Sequence, residues 1–535
     1  MNKLLPTLFI VCWSHSFSQS AINNQVWYQQ DFTKTGNYGI SLNEAYKLLA
    51  GKKSKTVVVA VIDSGIDTLQ EDLKDILWQN PKEIPGNGKD DDGNGYIDDR
   101  YGWNFCGSPD GRNLDRNSHE AERVFHQFKK QFEGKTTVAD SLKYSFSQWQ
   151  KAKKLLLKNY EEAKVQTVLF NNIKRSLQAS ANYIEKTSAI TNFTSKQLKQ
   201  LATINPENAQ LLEAIAYWQQ IFRNINDSNF TSSQVFTEVD NELDRYNKNI
   251  AVYEKAPEDT RSLYIKDNLN NINDKYYGNN NLSAGSGNHG TSVAGVIGAV
   301  RNNGIGVNGI ADNVRIMAIR AMPGGDEYDK DVALAIRYAV DNGAQIINMS
   351  LGKPVSPDKQ MVDDAMQYAA KKNVLIIHAA GNDATDIDAD NYYPSSFYLN
   401  GKKIDNLLTV GASGENADKG ITAPFSNYGK KSVDLFAPGM NIFSANAGNN
   451  YSTASGTSLA APVVSGVAAL LKSYFPKITP RQIISILLTS GTAIGQLVKM
   501  PGTNNFVPLS SLCSSGKIVN AAGAIQLAQR LYPSK

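Results

Sequence analysis

Cysteine is scarce in this sequence, with three residues among 535. Cys12 lies in an apolar N-terminal stretch, so Cys106 and Cys513 are the cysteines of the remaining chain. A fold built on disulfides is therefore excluded, because such folds need a dense set of bridges. A single bridge between Cys106 and Cys513 and a pair of buried free thiols both remain open.

Long apolar runs are also missing. The run Leu4–Trp13 is too short to span a bilayer, and no other segment is apolar enough, so we expect no transmembrane anchor. Lys3 precedes this run and small polar residues follow it, which is typical of a secretory signal peptide covering residues 1–20. We therefore expect the protein to be secreted, or to lie in the periplasm or cell envelope. A buried N-terminal strand is the alternative.

A strong excess of one charge is lacking too. The 55 Lys and Arg residues nearly balance 51 Asp and Glu residues, which gives a formal net charge of +4. With no long basic run, the sequence does not favour nucleic acid as a partner. The length and the hydrophobic content of 41% suit a globular protein with one large domain and an addition.

Alternating strand and helix patterns predict the fold. Thr56–Ile62 is a continuous apolar run rich in β-branched residues, which indicates a central parallel strand. From His289 onward, similar runs alternate with amphipathic helical segments. The sequence therefore predicts an α/β fold, a doubly wound and mostly parallel sheet with an all-α insertion. We expect the catalytic domain at 21–118 and 271–535, and the helical insertion at 119–270.

The insertion is recognised by its composition, because glycine and proline become rare between residues 117 and 270. Apolar residues recur every seven positions and predict one long helix; they are Leu142, Trp149, Leu156, Ala163, Phe170 and Leu177. Two more amphipathic helices are expected at 211–222 and 235–250. We expect these apolar stripes to form an internal core, and a docking face for a substrate or partner is the alternative.

Three polar residues stand where strands end or helices begin. Asp63 ends the first apolar run, His289 precedes the helical stretch 293–300, and Ser458 lies in Gly456–Pro462 at an expected helix start. A serine there could simply cap the helix. It could also be a nucleophile, because the unpaired N–H groups of a helix start stabilise developing negative charge. The order Asp, His, Ser is the order found in subtilisin.

Several stretches around these residues resemble the motifs of the subtilisin-family (subtilase) serine proteases. They are Val59–Gly65, His289–Gly295, Ser350–Gly352, Ala379–Asn382, Phe436–Gly439 and Gly456–Pro462. The resemblance implies that Ser458 attacks the scissile carbonyl, that His289 carries its proton, and that Asp63 orients His289. Asn382 would hold the oxyanion together with the N–H of Ser458.

The same resemblance implies a substrate cleft and an activity. The cleft residues would be Ser350, Leu351, Gly352, Ala380 and Gly381. The expected function is a secreted serine endopeptidase that acts on proteins or peptides and needs no cofactor for the chemistry. Leu459 stands where many relatives carry methionine, which predicts tolerance of peroxide. A scaffold protein that works through its insertion, and a processing protease of narrow specificity, are the alternatives.

Two segments suggest structural calcium. Residues 86–99 have the spacing of an EF-hand-like loop, and the candidate ligands are Asp90, Asp92, Asn94, Tyr96 and Asp98. Tyr101 stands where that loop carries a glutamate, so a variant site and a solvated acidic turn are both open. The loop 302–308 resembles the family's calcium loop, with ligands from Asn303 and the carbonyls of Ile305 and Val307.

Overall fold

The structure is a computed structural model that describes residues 26–225, 227–285, 287–417 and 420–533. The expected signal peptide lies outside the described residues. The described chain divides into two compact units. One consists of Ala121–Val138 and Trp149–Pro257, and the other consists of residues 26–120, 139–148 and 258–533.

One large sheet is the centre of the second unit. Its strands in chain order are β1 Val57–Asp63, β2 Gly102–Asn104, β3 Val314–Arg320, β4 Ile346–Met349, β5 Leu375–Ala379, β6 Leu407–Ser413 and β7 Leu435–Pro438. Two hairpins follow as β8 Ile442–Asn446 with β9 Asn450–Ala454, and β11 Val498–Lys499 with β12 Phe506–Val507. The sheet is completed by β10 Thr492–Ala493 and β13 Lys517–Ile518.

The strand order in this sheet is β10-β13-β7-β6-β5-β4-β1-β3-β2. Every pairing except β10 with β13 is parallel. The predicted α/β fold with a mostly parallel sheet is therefore confirmed. In such sheets, ligands bind outside the carboxyl ends of the strands.

The α-helices of both units are numbered in chain order. Their bounds are α1 Phe32–Thr35, α2 Leu42–Leu49, α3 Glu120–Phe132, α4 Lys143–Ser188, α5 Ser195–Ile204, α6 Ala209–Phe222, α7 Ser232–Glu254, α8 Thr260–Tyr264, α9 Asn288–Gly298, α10 Asp329–Asp341, α11 Lys359–Lys371, α12 Thr457–Tyr474, α13 Pro480–Ser490 and α14 Ala521–Leu531. Between β2 and β3 the described residues form helices and loops and contain no strand.

The two faces of β1 pack against different helix layers. Val57, Val59 and Val61 join the core that includes α9 and α12, whereas Ala60 and Ile62 join the core that includes α10 and α11. Because successive side chains of a strand point to opposite faces, an unbroken apolar run is what a sheet covered on both sides requires. The sheet is thus doubly wound, as the sequence predicted.

The apolar stripes of the helical unit form its own core. Five of the heptad residues lie within α4, and Ala163, Phe170 and Leu177 are buried against residues of α6 and α7. The other members include Leu211, Ile215, Trp218, Val235 and Val239. The structure therefore favours the core interpretation of these stripes over a docking face.

Cys106 and Cys513 are free and buried, and burial raises the pKa of the Cys106 thiol to about 12. Of the two arrangements that the sequence left open, the pair of buried thiols is the one present. Among the described residues, no helix is both long and apolar enough to cross a membrane.

Candidate active site

Asp63 and His289 are in direct contact at the carboxyl edge of the sheet. Asp63 is the last residue of β1 and has no solvent exposure, and its Oδ1 lies 2.7 Å from Nδ1 of His289. His289 is the second residue of α9. The next residue must be glycine, because a Cβ on Gly290 would lie 2.1 Å from the carbonyl oxygen of Gly65. This close approach brings the first turn of α9 against the turn after β1.

The environment of His289 favours its protonated form. Burial acts to lower the pKa of His289, but the charge of Asp63 and the hydrogen bond to it outweigh that effect, so the pKa is raised above 6.5. The backbone carbonyl of Asp63 also accepts hydrogen bonds from the N–H groups of Ala321 and Met322, at 3.0 and 3.2 Å. These bonds fix the end of β1 to the chain that leaves β3.

Ser458 and Asn382 converge on one small space beside Gly456. Ser458 is the second residue of α12, as the sequence predicted for a helix start. A Cβ on Gly456 would lie 2.8 Å from Ser458 Oγ, 3.6 Å from Ser458 N and 3.7 Å from Asn382 Nδ2. A hydroxyl and two N–H donors therefore surround a position that glycine leaves open, which is what an oxyanion hole beside a nucleophile requires.

Thr457 orients the amide of Asn382. Oδ1 of Asn382 accepts hydrogen bonds from the backbone N–H and the hydroxyl of Thr457, at 2.8 and 3.0 Å. Because Oδ1 is held there, the Nδ2 donor of Asn382 faces the space beside Gly456. The hydroxyl of Thr457 also accepts from the N–H of Gly381 at 3.1 Å, which ties the two segments together.

The expected cleft segments follow the neighbouring strands β4 and β5. The hydroxyl of Ser350 donates to the carbonyl of Ser458 at 2.7 Å, so this segment touches the start of α12. His378, on β5, holds the carbonyl of Leu351 through its Nε2 at 3.0 Å. On the other side, the N–H of Ala380 donates to the carbonyl of Val410 at 2.9 Å.

An acidic cluster that could bind a metal lies in the loop after β1. Glu83, Asp90 and Asp92 each offer a carboxylate oxygen within 4.8 Å of the others. Glu83 is 7% exposed, and its buried Oε2 has no hydrogen-bond partner among the described residues. Burial raises the pKa of Glu83, although backbone N–H groups of Asp91 and Asp92 bond its Oε1. An orphaned carboxylate oxygen beside two other carboxylates fits a hard divalent cation such as Ca²⁺.

The other expected ligands of this loop are arranged differently. The carboxylate of Asp98 accepts hydrogen bonds from the backbone N–H groups of residues 86–88, at 2.7–3.3 Å. Oδ1 of Asn94 accepts from the N–H of Tyr96 at 2.8 Å. The structure thus brings Asp90 and Asp92 together with Glu83, a residue that the EF-hand spacing did not include.

The carboxylate of Asp72 is hydrogen-bonded to the second candidate calcium loop, residues 302–308. It accepts from Asn303 Nδ2 at 2.7 Å and from the N–H of Val307 at 2.9 Å. Oδ1 of Asn303 accepts from the N–H of Ile305 at 3.1 Å. Asp72 is far from this loop in sequence, and the mostly polar residues next to it gave no sign of the contact.

The chain is similar in sequence to known proteins. Residues 54–507 match the profile of the subtilase family. The thermophilic serine proteinase of Bacillus sp. (strain AK1) is 42% identical over 187 residues, which are 35% of this chain and 43% of that protein. Alkaline elastase YaB of Bacillus sp. (strain YaB) is 36% identical over 220 residues, 41% of this chain and 53% of that protein. The chain spans about half the length of these curated relatives.

Solved structures include similar proteins as well. One, described as proteases from Pseudoalteromonas arctica PAMC 21717, has 32% sequence identity to this chain. The match covers 47% of this chain and 74% of that chain, with a TM-score of 0.37.

Proposed function

Because this chain belongs to the subtilase family, we propose that it is a serine endopeptidase that hydrolyses peptide bonds in proteins. Asp63, His289 and Ser458 form its triad, and Asn382 assists at the oxyanion hole. The observation that carries this proposal is the 2.7 Å contact between His289 Nδ1 and the buried Asp63. An ionised carboxylate only accepts hydrogen bonds, so this contact holds a proton on Nδ1 and leaves Nε2 free to act as the base.

The mechanism follows from these positions. Ser458 Oγ attacks the carbonyl carbon of the scissile bond while His289 takes its proton, and an acyl-enzyme forms when His289 passes that proton to the leaving amine. Water then attacks the acyl-enzyme with His289 again as the base. In both steps the negative oxygen lies between Ser458 N–H and Asn382 Nδ2. Asp63 stabilises the imidazolium that His289 becomes.

Labelling with a fluorophosphonate probe tests this function. We expect the full chain to be labelled, and the Ser458→Ala variant to remain unlabelled while giving the same circular dichroism spectrum. The exposed serine variant Ser233→Ala is the matched control, and it should label like the parent chain. A folded chain without labelling at Ser458 would favour the alternative, in which the protein is a scaffold that works through its helical insertion.

We also propose that Glu83, Asp90 and Asp92 hold a structural Ca²⁺. The ion would neutralise three neighbouring carboxylates and supply the partner that Glu83 Oε2 lacks, so it would stabilise the loop and take no part in the chemistry. Secretion is part of the same proposal, supported by the signal-like composition of residues 1–20. A docking role for the helical insertion remains a prediction.

A further inference from the structure

The chain segments that leave β4 and β5 are no longer paired with each other, and the space between them is here called the crevice. These strands are paired up to Met349 and His378, and the chain continues as Ser350–Gly352 on one side and Ala380–Asn382 on the other. Each segment is bonded to the start of α12, at the carbonyl of Ser458 and the hydroxyl of Thr457 respectively. Diverging segments at the carboxyl edge of a parallel sheet create the usual binding crevice of α/β proteins.

This crevice lies next to the proposed oxyanion hole, because Asn382 is the last residue of one of the two segments that border it. A scissile carbonyl whose oxygen lies between Ser458 N–H and Asn382 Nδ2 places its own α-carbon one bond from the reacting carbon. The side chain on that α-carbon belongs to the residue before the scissile bond, here called P1. In a peptidase of the proposed kind, the P1 side chain therefore enters the crevice. One wall of the crevice contains Gly352 and the other contains Gly381.

The ring of Tyr392 occupies the space between these walls. A Cβ on Gly352 would lie 2.4 Å from ring atom Cε1 of Tyr392, and a Cβ on Gly381 would lie 2.8 Å from the same atom. Carbon atoms in ordinary contact are about 3.5–4.0 Å apart, so the ring is already against the backbone of both glycines. Glycine at 352 makes room for the ring, and glycine at 381 makes room both for the ring and for Asn427 Nδ2, which would lie 2.3 Å from a Cβ there.

Hydrogen bonds hold the ring in this place. The hydroxyl of Tyr392 donates to the carbonyl of Gly352 at 2.8 Å. The next residue, Tyr393, exchanges two backbone hydrogen bonds with Lys353, at 2.8 and 2.9 Å. The segment that carries the ring is thus paired with the chain that continues the Gly352 wall, and moving the ring out would break its bond to that wall.

We propose that Tyr392 determines the specificity of this peptidase by restricting P1 to small residues such as glycine, alanine and serine. The proposal rests on the proposed function and names its substrate class. A leucine or phenylalanine side chain at P1 would need the volume that the Tyr392 ring fills. Inserting extra carbon atoms into an already packed space forces displacements, and these cost the larger substrate part of its transition-state binding.

Matched peptide substrates that differ only at P1 test the proposal. For the full chain, we expect kcat/KM to be roughly 100-fold higher with alanine than with phenylalanine at P1. Tyr392→Gly should raise the phenylalanine-to-alanine ratio by roughly 100-fold. Tyr392→Phe keeps the ring and loses only the hydroxyl, so it should keep the preference for alanine. Equal rates for alanine and phenylalanine in the full chain would overturn the proposal, as would an unchanged ratio in active Tyr392→Gly.

Peptide binding separates this proposal from the proposed function. Ser458→Ala cannot hydrolyse the peptides, so their dissociation constants report the crevice directly. We expect the alanine peptide to bind at least roughly tenfold more tightly than the phenylalanine peptide, and Tyr392→Gly in the same background to remove that difference. The ratio of the two dissociation constants does not depend on hydrolysis. A chain that shows this ratio but no Ser458-dependent hydrolysis would overturn only the proposed function. Tighter binding of the phenylalanine peptide with Tyr392 present would overturn the specificity proposal alone.

Discussion

Nδ1 of His289 lies 2.7 Å from Oδ1 of Asp63, and the Asp63 side chain is fully buried. The charge of Asp63 overcomes the effect of burial and raises the pKa of His289 above 6.5. His289 must be neutral to accept a proton from Ser458. In the proposed mechanism, kcat/KM is therefore low below the pKa of His289 and rises as the pH increases through that pKa.

Asp63→Asn should show both roles of this carboxylate. The amide cannot stabilise the imidazolium and can hold the wrong tautomer, so we expect kcat/KM to fall by about 10⁴, the loss known for the equivalent change in a trypsin-like triad. The acid-side midpoint of the pH profile should shift to lower pH, because the charge that raises the pKa is gone. Asp75→Asn, at an exposed aspartate, is the control. An unchanged midpoint would contradict the role given to Asp63.

Asn382→Ala removes one of the two proposed oxyanion donors. We expect kcat to fall by roughly 10²–10³ while KM changes little, because the donor acts on charge that develops in the transition state. That range is known for the corresponding asparagine of subtilisin, which belongs to the same family. Steady-state kinetics on one peptide would measure kcat and KM separately. A change in KM alone would contradict the role given to Asn382.

Thr457→Val should give a smaller loss of kcat than Asn382→Ala. The variant keeps the backbone N–H that bonds Asn382 Oδ1 but loses the hydroxyl that bonds both Asn382 and Gly381. The amide of Asn382 is then held by one bond instead of two. Thr457→Ser restores the hydroxyl and should restore most of kcat. If valine and serine variants have equal kcat, Thr457 does not orient the amide.

Calcium removal should lower the thermal stability of the chain. An ion present at about 100 times its dissociation constant stabilises a protein by about 2.7 kcal/mol, so Tm should drop by several degrees in EDTA and recover with added Ca²⁺. Glu83→Gln should weaken this dependence on Ca²⁺. Asp91→Asn is the matched control, since that exposed carboxylate bonds Ile84 N and Asn87 Nδ2 outside the cluster. If EDTA leaves the Tm of the parent chain unchanged, a stabilising ion is excluded.

Much of the fold was predictable because its signals are local. The unbroken apolar run of β1 and the small-residue start of α12 lie in consecutive residues, so strand ends and helix starts could be placed within a few positions. The strand expected at 56–62 is Val57–Asp63, and the helix expected at 211–222 is Ala209–Phe222. The ends of helices and strands shift in this way because the last helical turn or strand bridge depends on contacts with neighbouring elements.

The parts that the sequence did not predict depend on contacts between distant loops. Tyr392 reaches Gly352, 40 residues away, and Asp72 reaches Val307. Glu83 meets Asp90 and Asp92 only because the loop folds back on itself. No local pattern marks these residues, since a tyrosine in a loop or an acid on a turn is common without any site.

Leu459 should make the proposed activity tolerant of peroxide, because a methionine at this position would add an oxidisable thioether beside Ser458. This side chain follows Ser458 and is 3% exposed, so a sulfoxide formed there would place a polar oxygen in the apolar core under the nucleophile. We expect the full chain to keep its activity in peroxide, and Leu459→Met to lose activity over time. Activity before and after exposure, with methionine sulfoxide located by mass spectrometry, measures this. Equal inactivation of both chains would contradict it.

His378 should make the stability of the chain depend on pH. Its side chain is buried on β5, and burial lowers its pKa to about 4 from 6.5. Between these values the unfolded chain binds a proton that the folded chain does not, so the stability due to neutral His378 is present above pH 6.5 and is lost as the pH falls toward 4. The full effect is about 3 kcal/mol.

His378→Gln isolates this contribution. Glutamine can still donate an N–H to the carbonyl of Leu351, but it does not titrate. Urea unfolding at several pH values should therefore give a shallower loss of unfolding free energy in the variant than in the parent chain. The difference between the two slopes matters, because buried acids such as Glu327, whose pKa is raised to about 7 by burial, titrate in both chains and act in the opposite direction. Parallel curves would show that His378 binds its proton equally well in the folded chain.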